Sequence, residues 1–197
     1  MDLSRSLLEK FYIKKNRSVS DIAKALRCSE HKINYWLAKF TIPKRSISEA
    51  IYVKNHPRGD PFKVKKQLTS REVKLLGLGL GLYWGEGNKK NKVSLRLGNT
   101  DPRLIKMFMD FLEEICGVAR NAITFNLLIF NDISVSAAKR FWVAALGIRP
   151  EQIRGKVIVL KSGRIGTYRQ KSKYGVLILQ YHNRKLRDIL CGMIEKL

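Results

Sequence analysis

Residues 75–87 read Leu-Leu-Gly-Leu-Gly-Leu-Gly-Leu-Tyr-Trp-Gly-Glu-Gly. This stretch places five glycines among otherwise apolar residues and ends beside one carboxylate, Glu86. Each glycine inside a helix costs about 0.5 to 1 kcal/mol relative to alanine, so a helix with five of them needs a compensating contact. Gly77, Gly81 and Gly85 recur every four residues and share one helix face. We therefore expect this face to form a dimer interface, in which a second helix approaches closely and Glu86 lies beside its counterpart.

Three common glycine-rich or apolar motifs do not fit the stretch. A dinucleotide-binding fingerprint that starts at Gly79 would need a third glycine where Trp84 stands, and a phosphate-binding loop would need a following Gly-Lys-Ser or Gly-Lys-Thr. A membrane span needs about 20 apolar residues, whereas the apolar run ends after residue 84. The alternative that remains is a buried core helix with a capping carboxylate.

The charge of the whole chain predicts the partner. The sequence has 197 residues, with 39 Lys and Arg against 16 Asp and Glu, a net charge of +23 and a pI near 10.2. An excess of this size exceeds what solubility requires and favours binding to a polyanion. The three cysteines are widely spaced and include no Cys-x-x-Cys pair, so neither a disulfide framework nor a zinc site is indicated. Since no secretory pattern is visible, we expect a cytoplasmic protein without a membrane partner.

Residues 1–45 predict a small module of three helices. Ser18 is placed to cap the second helix, with Asp21 at the third helical position, and Ser29 to cap a third helix that runs to about Phe40. The inner face of the third helix is predicted to carry Ile33, Trp36 and Leu37.

This arrangement resembles the helix-turn-helix of transposase and resolvase DNA-binding domains. The resemblance implies that the third helix enters the major groove of double-stranded DNA. The residues nearest base edges would be Glu30, His31, Lys32 and Asn34, and those nearest phosphates would be Tyr35 and Lys39. The alternative for His31 and Asn34 is a merely solvated helix face.

Residues 46–70 are predicted to be a basic linker. The stretch from residue 55 to residue 61 contains two prolines and a glycine and is not expected to remain helical. Just before the linker, Lys44 and Arg45 are candidates for lying along a minor groove, and a solvated segment is the alternative.

Residues 71–197 predict a second, α+β domain, in which helices cover one face of an antiparallel sheet. The glycine-rich helix would begin after a cap at Ser70, and a strand over 92–98 would have one apolar and one cationic face. Later elements are a helix capped by Asp101, a strand over 122–130, a helix that starts at Ser134 or Ser136, strands over 155–161 and 174–182, and a helix capped by Asn183. Basic residues around the sheet are expected to contact DNA phosphates; they are Lys89, Lys90, Lys92, Arg96, Lys161, Arg164, Arg169, Lys171 and Lys173.

Residues 79–87, Gly-Leu-Gly-Leu-Tyr-Trp-Gly-Glu-Gly, resemble the LAGLIDADG motif of homing endonucleases. In that family the motif helix packs against a second copy, and its penultimate acidic residue binds the catalytic metal. The resemblance implies metal ligation at Glu86 and the adjoining Gly85, with Mg²⁺ as the divalent cation. By the same resemblance, Asn99 would support metal-bound waters, although a turn role before Asp101 is an equal alternative. Because the sequence holds one motif, a homodimer is implied.

The sequence also departs from the family. Only about five residues separate Glu86 from the first predicted strand, and a helix near 136–146 stands between later strands. Both departures weaken the case for base reading by the sheet and favour the N-terminal module as the reader of the target. The family's catalytic lysine has three candidates here, Lys161, Arg164 and Arg184.

The predicted function is therefore that of a site-specific, Mg²⁺-dependent endonuclease that cuts double-stranded DNA as a homodimer. The rival prediction is a non-cleaving DNA-binding regulator with the same fold. Retention of Glu86 favours the enzyme, because an unpaired carboxylate buried in an apolar interface costs several kcal/mol unless cations compensate. An RNA-binding maturase is less favoured, because few aromatic residues alternate with the basic ones.

Overall fold

The chain is mixed α+β and divides into two compact units, Met1–Pro61 and Phe62–Leu197. A computed structural model describes residues 3–154, 157–161 and 172–197. In these ranges the first unit is helical, and the second combines helices with one four-stranded sheet. None of the helices there is long and apolar enough to cross a lipid bilayer.

Serine caps set the helix starts of the first unit. Ser4, Ser18, Ser29 and Ser46 each accept a hydrogen bond from the backbone N–H three residues on, which satisfies a donor that the helix leaves free. The predicted caps at Ser18 and Ser29 are therefore confirmed. The helices are α1 (Arg5–Leu8, continued by a π-helical segment, Glu9–Lys14), α2 (Val19–Ala25), α3 (Glu30–Lys39) and α4 (Ile47–Asn55).

A small core joins the first three helices of this unit. Ile33 and Leu37 of α3 are fully buried, as predicted, whereas Trp36 is half-buried at the edge. They pack with apolar side chains before and after α3, namely Leu3, Leu8, Tyr12, Ile22, Ala23 and Ile42. None of the residues of α4 is buried, so that helix adds nothing to this core.

The predicted linker over 46–70 is wrong in two places. Residues 47–55 form α4, because Ser46 and Glu49 make a complete capping box that nucleates a helix. Phe62 is buried in the core of the second unit, and the next residues pair with the end of a helix there through Lys63 N–H to Cys116 O and Lys65 N–H to Ile115 O, both 2.9 Å. The prolines and glycine of 55–61 end α4 but do not prevent it.

The first helix of the second unit is α5, Ser70–Glu86, the glycine-rich helix. Its cap is Thr69 rather than Ser70, because Thr69 and Glu72 form a reciprocal capping box one residue earlier than expected. Gly87 ends the helix.

The other caps of this unit follow the sequence prediction. Asp101, Ser134 and Asn183 cap their helices, and the left-handed residues Gly117 (φ 65°) and Gly147 (φ 59°) follow two of them. The helices are α6 (Pro102–Asp110, continued by a π-helical segment, Phe111–Ile115), α7 (Val135–Leu146) and α8 (Arg184–Ile194).

The sheet is mixed rather than antiparallel as predicted. Its order is β1-β4-β2-β3, in which β4 pairs antiparallel with β1 and with β2, whereas β3 pairs parallel with β2. The parallel pair arises because α7 lies between β2 and β3 in the chain and returns it to the same edge. The strands are β1 (Leu95–Asn99), β2 (Thr124–Phe130), β3 (Ile158–Leu160) and β4 (Val176–Tyr181).

Alternation along the strands gives the sheet one apolar and one more polar face. On the apolar face Leu97, Leu179 and Phe125 form a buried row that packs with the helices. The more polar face carries a row of Arg96, Gln180 and Thr124, and then a row of Gly98, Ile178 and Asn126; Gln180 is buried and the others are half-buried. The expected cationic face is therefore wrong, because the strand residues of this face are mostly neutral.

The predicted start of the first strand at Lys92 is also wrong. Val93 is 64% exposed and Ser94 is fully buried, the reverse of the expected alternation. The side-chain oxygen of Asn91 accepts the backbone N–H groups of Val93 and Ser94, so this segment is a turn and β1 begins at Leu95.

Candidate functional site

Helix α5 presents its glycines on two different faces. Gly79 and the neighbouring side chains of Leu80 and Tyr83 are buried against the core. Gly77, Gly81 and Gly85 are exposed, and a Cβ atom added at any of the three would meet nothing within 4 Å. In the single chain this face is bare, so α5 is not the wholly buried core helix that remained as an alternative.

Large apolar side chains flank the bare glycines. Val73, Leu78 and Trp84 are 54%, 50% and 59% exposed. At 100° per residue, Val73 and Trp84 border the glycines on one side and Leu78 on the other. Exposed apolar side chains gathered in this way mark interaction surfaces. Sequence reasoning missed the flanking residues, although helical spacing from Gly81 would have found them.

Glu86 is the last residue of α5, and its side chain is exposed. In a single chain, therefore, it does not carry the burial penalty on which its sequence interpretation rested. The next residue, Gly87, bridges to Leu97, and Asn88 N–H donates to Arg96 O at 2.8 Å. These backbone bonds fix Glu86 beside the start of β1.

The segment after Glu86 is held from two sides. Lys89 Nζ donates to the backbone carbonyl of Trp84, one of the carbonyls that the helix end leaves without a partner. From α8, Arg187 Nη2 donates to the carbonyl of Lys89 at 2.7 Å, and its Nη1 donates to Asp188 at 2.8 Å. Arg187 was not predicted, because a single arginine on an amphipathic helix has no distinguishing spacing.

Arg187 lies near a buried tyrosine on the inner face of α5. Burial raises the pKa of Tyr83 to about 12, while the nearby guanidinium opposes that rise. The Tyr83 hydroxyl and the Arg187 Nε have no hydrogen-bond partner in the residues described. The predicted cation Arg184 instead pairs with Asp188 at 3.4 Å on the exposed side of α8.

One chain supplies few metal ligands. No group of three His, Cys, Asp or Glu side chains suited to a metal ion occurs within 3–154, 157–161 and 172–197. Glu86 is an exposed carboxylate with the backbone carbonyl of Gly85 beside it, which fits Mg²⁺, a cation that uses one or two carboxylates and otherwise water or phosphate oxygens. The side-chain oxygen of Asn99 accepts Asp101 N–H at 2.9 Å, the turn role that the sequence also allowed.

The predicted DNA-contacting residues of the first unit differ in their surroundings. On α3, His31, Tyr35 and Lys39 are exposed, whereas Lys32 and Asn34 are half-buried. Lys39 Nζ lies 4.5 Å from the ring centroid of Trp36, and Lys44 is exposed.

Arg45 is half-buried, and groups of the first unit engage its guanidinium. Its guanidinium donates to Arg17 O at 2.9 Å, to Asn16 Oδ1 at 2.6 Å and to Tyr12 O, and it stacks on the Tyr12 ring at 4.1 Å. Acceptors at the end of the first helical segment therefore engage this guanidinium, and the minor-groove contact of Arg45 stays a prediction.

The predicted DNA-contacting residues of the second unit also differ in their exposure. Lys89, Lys90, Lys92, Lys161 and Lys173 are exposed, while Arg96 is half-buried and donates from Nε to Ser94 Oγ at 3.1 Å. Arg164, Arg169 and Lys171 lie outside the residues that the structure describes.

Three comparisons with known proteins bear on this site. A scan against protein-family models, a search of curated proteins and a search of solved structures each found no match to the chain.

Proposed function

We propose that this chain is a double-stranded DNA endonuclease that acts as a homodimer, with α5 of one copy packed against α5 of the other. The observation that carries the proposal is the coincidence of two features on α5. Gly77, Gly81 and Gly85 form an exposed face with open space around it, and the last residue of the same helix is an exposed carboxylate, Glu86. A surface used for dimerisation would place two such carboxylates together.

The exposed face suits a close helix crossing. Glycines let two backbones approach, and the flanking Trp84 and Leu78 supply apolar area that water otherwise covers. A twofold axis at the crossing makes the contact self-complementary, because each copy offers the same patch. Lys74 lies at the N-terminal end of this face and is exposed, so the closest approach falls at Gly81 and Gly85, near Glu86.

Two Glu86 carboxylates and the adjoining Gly85 carbonyls would hold Mg²⁺ together with phosphate oxygens of the DNA. When bound, such an ion activates water as a nucleophile and stabilises the leaving oxygen of a phosphodiester. The chain's own residues position the carboxylates: the Gly87 bridge to β1 fixes the end of α5, and Arg187 holds the segment that follows. This positioning is important because misplacement by 1 Å reduces catalysis strongly.

Target choice is assigned to the first unit. Helices α2 and α3 resemble a helix-turn-helix, and their caps fix a short turn between them. With α3 in a major groove, His31 and Asn34 would lie near base edges. The net charge of +23 supplies the attraction to the phosphate backbone.

A second candidate function is DNA binding without cleavage. The observation that favours it is at Asn99, the residue expected to support metal-bound waters, whose side-chain oxygen accepts Asp101 N–H at 2.9 Å in a turn. The same α5 dimer and the same first unit would serve a regulator equally well.

Cleavage of supercoiled DNA that carries the source locus tests the proposal. Wild type, Glu86→Gln and the control Glu151→Gln, another exposed glutamate of the second unit, are compared in Mg²⁺ and in Ca²⁺. We expect wild type and Glu151→Gln to nick or linearise the plasmid in Mg²⁺, and Glu86→Gln to leave it intact. A wild type that binds the plasmid but never cuts it would favour the regulator, and an active Glu86→Gln would contradict the assigned role of Glu86.

A further inference from the structure

The first unit contains a charged cleft that the sequence did not indicate. It lies among the end of the first helical segment, α2 and α4, and has a volume of about 750 Å³. Four of its lining residues are cations from three separate segments, namely Lys15, Arg17, Lys24 and Lys54. We call these four residues the Lys24 groove.

The positive charge of the Lys24 groove is only partly offset. Asp21 is the single carboxylate in the cleft lining, and a 2.6 Å hydrogen bond from Ser18 Oγ, together with the nearby charges of Lys24 and Arg17, holds its pKa below the ordinary value. Asp21 therefore offsets one of the four positive charges. Lys15 and Arg17 lie 5.4 and 5.2 Å from the ring centroid of Phe11, an arrangement that orders a cation without removing its charge. Among the residues that the structure describes, none of the four cations forms an ion pair.

The groove leads to the start of α3. A second cleft, of about 470 Å³, shares Lys24 with the first and is lined further on by Arg27, Ser29 and Glu30. Ser29 caps α3, so the two clefts together run from Lys54 to the first turn of the helix assigned to base reading. The second cleft is lined by two cations, Lys24 and Arg27, and one carboxylate, Glu30. Its lining is therefore less positive than that of the first cleft, which has four cations and one carboxylate.

Helix α4 contributes to the cleft and not to the core of the first unit. The helix has no buried residue, yet a complete capping box fixes its start. Its contribution to the unit is therefore not a core face. Val53 and Lys54 bring its last turn to the cleft, so the helix that the sequence did not predict supplies one wall of the groove.

We propose that the Lys24 groove binds phosphates of the DNA backbone, as a second point of attachment besides α3; this inference rests on the proposed function. The cleft lining favours phosphate over a base, because it offers ammonium and guanidinium groups and no aromatic side chain on which a base could stack. Such binding fixes the register of α3 on the duplex and is independent of sequence.

The salt dependence of binding tests the groove. Lys24→Gln/Lys54→Gln is compared with Lys10→Gln/Lys14→Gln, which removes the same charge from exposed lysines of the same unit outside the cleft. Affinity for two unrelated duplexes is measured by fluorescence anisotropy between about 50 and 200 mM salt. The slope of log K against log salt is expected to fall by about 0.9 for each phosphate that the groove variant no longer binds, equally on both duplexes.

One further variant controls for folding. Lys24→Arg/Lys54→Arg keeps the charge and is expected to retain the wild-type slope, which separates the removal of charge from a failure to fold. If the slope for Lys24→Gln/Lys54→Gln equals that for Lys10→Gln/Lys14→Gln, the groove does not bind phosphate. The proposed function is unaffected by that result. A wild type that binds neither duplex overturns the proposed function itself.

Discussion

Gly79 lies directly against the ring of Phe111, and a Cβ atom added at Gly79 would overlap three carbons of that ring. Phe111 is fully buried and lies near the Phe108 ring, 5.7 Å between centroids, so it has little room to move. The close approach of α5 to the end of α6 therefore depends on this glycine. Within α5, Gly79 is therefore required for packing against the core, whereas Gly77, Gly81 and Gly85 face solvent.

Gly79→Ala is expected to lower the free energy of unfolding by about 1 to 3 kcal/mol, because overpacking outweighs the gain in helix propensity. The matched control is Gly192→Ala in α8, where a Cβ atom meets nothing within 4 Å. The control should leave stability unchanged or raise it by up to about 1 kcal/mol. Urea unfolding followed by circular dichroism measures both, and equal midpoints for the two variants would contradict the packing described.

Gly81→Leu is expected to convert a dimer into a monomer. The space beside Gly81 is open in the single chain, so leucine there fits the fold but blocks a close crossing of two α5 helices. Sedimentation velocity should give twice the 22.7 kDa chain mass for wild type and the single mass for the variant. Gly192→Leu, at another open position, should remain dimeric. A Gly81→Leu protein of dimeric mass would exclude this interface.

The stabilising contribution of Glu72 is expected to be lost in acid. The ammonium of Lys65 at 2.6 Å, and then the backbone and hydroxyl of Thr69, lower the pKa of Glu72 to about 2. A carboxylate with a depressed folded pKa stabilises the native state above its ordinary pKa near 4.5, and that contribution disappears as the pH falls toward 2. Glu72→Gln should therefore melt at a lower temperature than wild type at pH 7. The difference should shrink between pH 4.5 and 2, and a difference constant with pH would contradict the assignment.

Cys116 should resist thiol reagents in the folded protein. Burial raises the pKa of its thiol to about 12, whereas Cys28 and Cys191 are half-buried. Iodoacetamide at pH 8 is expected to modify those two thiols first and Cys116 only after unfolding. Mass spectrometry of the peptides measures the order, and early modification of Cys116 would show that the core opens readily.

Local signals in the sequence predicted most helix ends correctly. Ser18, Ser29, Asp101 and Asn183 were recognised as caps because a short side chain before an apolar pattern satisfies free backbone donors. Helix α4 was missed because the prolines and glycine of 55–61 decided the interpretation of the whole stretch, and the Ser46–Glu49 capping box was overlooked.

Features that depend on long-range contacts could not be predicted in this way. The parallel pairing of β3 with β2 depends on the path through α7, and no local pattern encodes it. Arg45 and Arg187 look like ordinary surface cations in the sequence, yet tertiary acceptors engage both. The bare face of α5 was predicted from glycine spacing, because that periodicity is local, whereas its flanking side chains were missed.

Disulfide cross-linking of two chains through the bare face of α5 tests most directly whether α5 of one copy packs against α5 of another. Gly77→Cys, Gly81→Cys and Gly85→Cys are each oxidised mildly and analysed without reductant, with Lys106→Cys on the exposed side of α6 as control. A disulfide needs Cα atoms within about 7 Å, a distance that only a close helix crossing provides. We predict a covalent dimer for at least one of the three and none above the wild-type level for the control. Three glycine positions that cross-link no better than Lys106→Cys would contradict the paired-helix site.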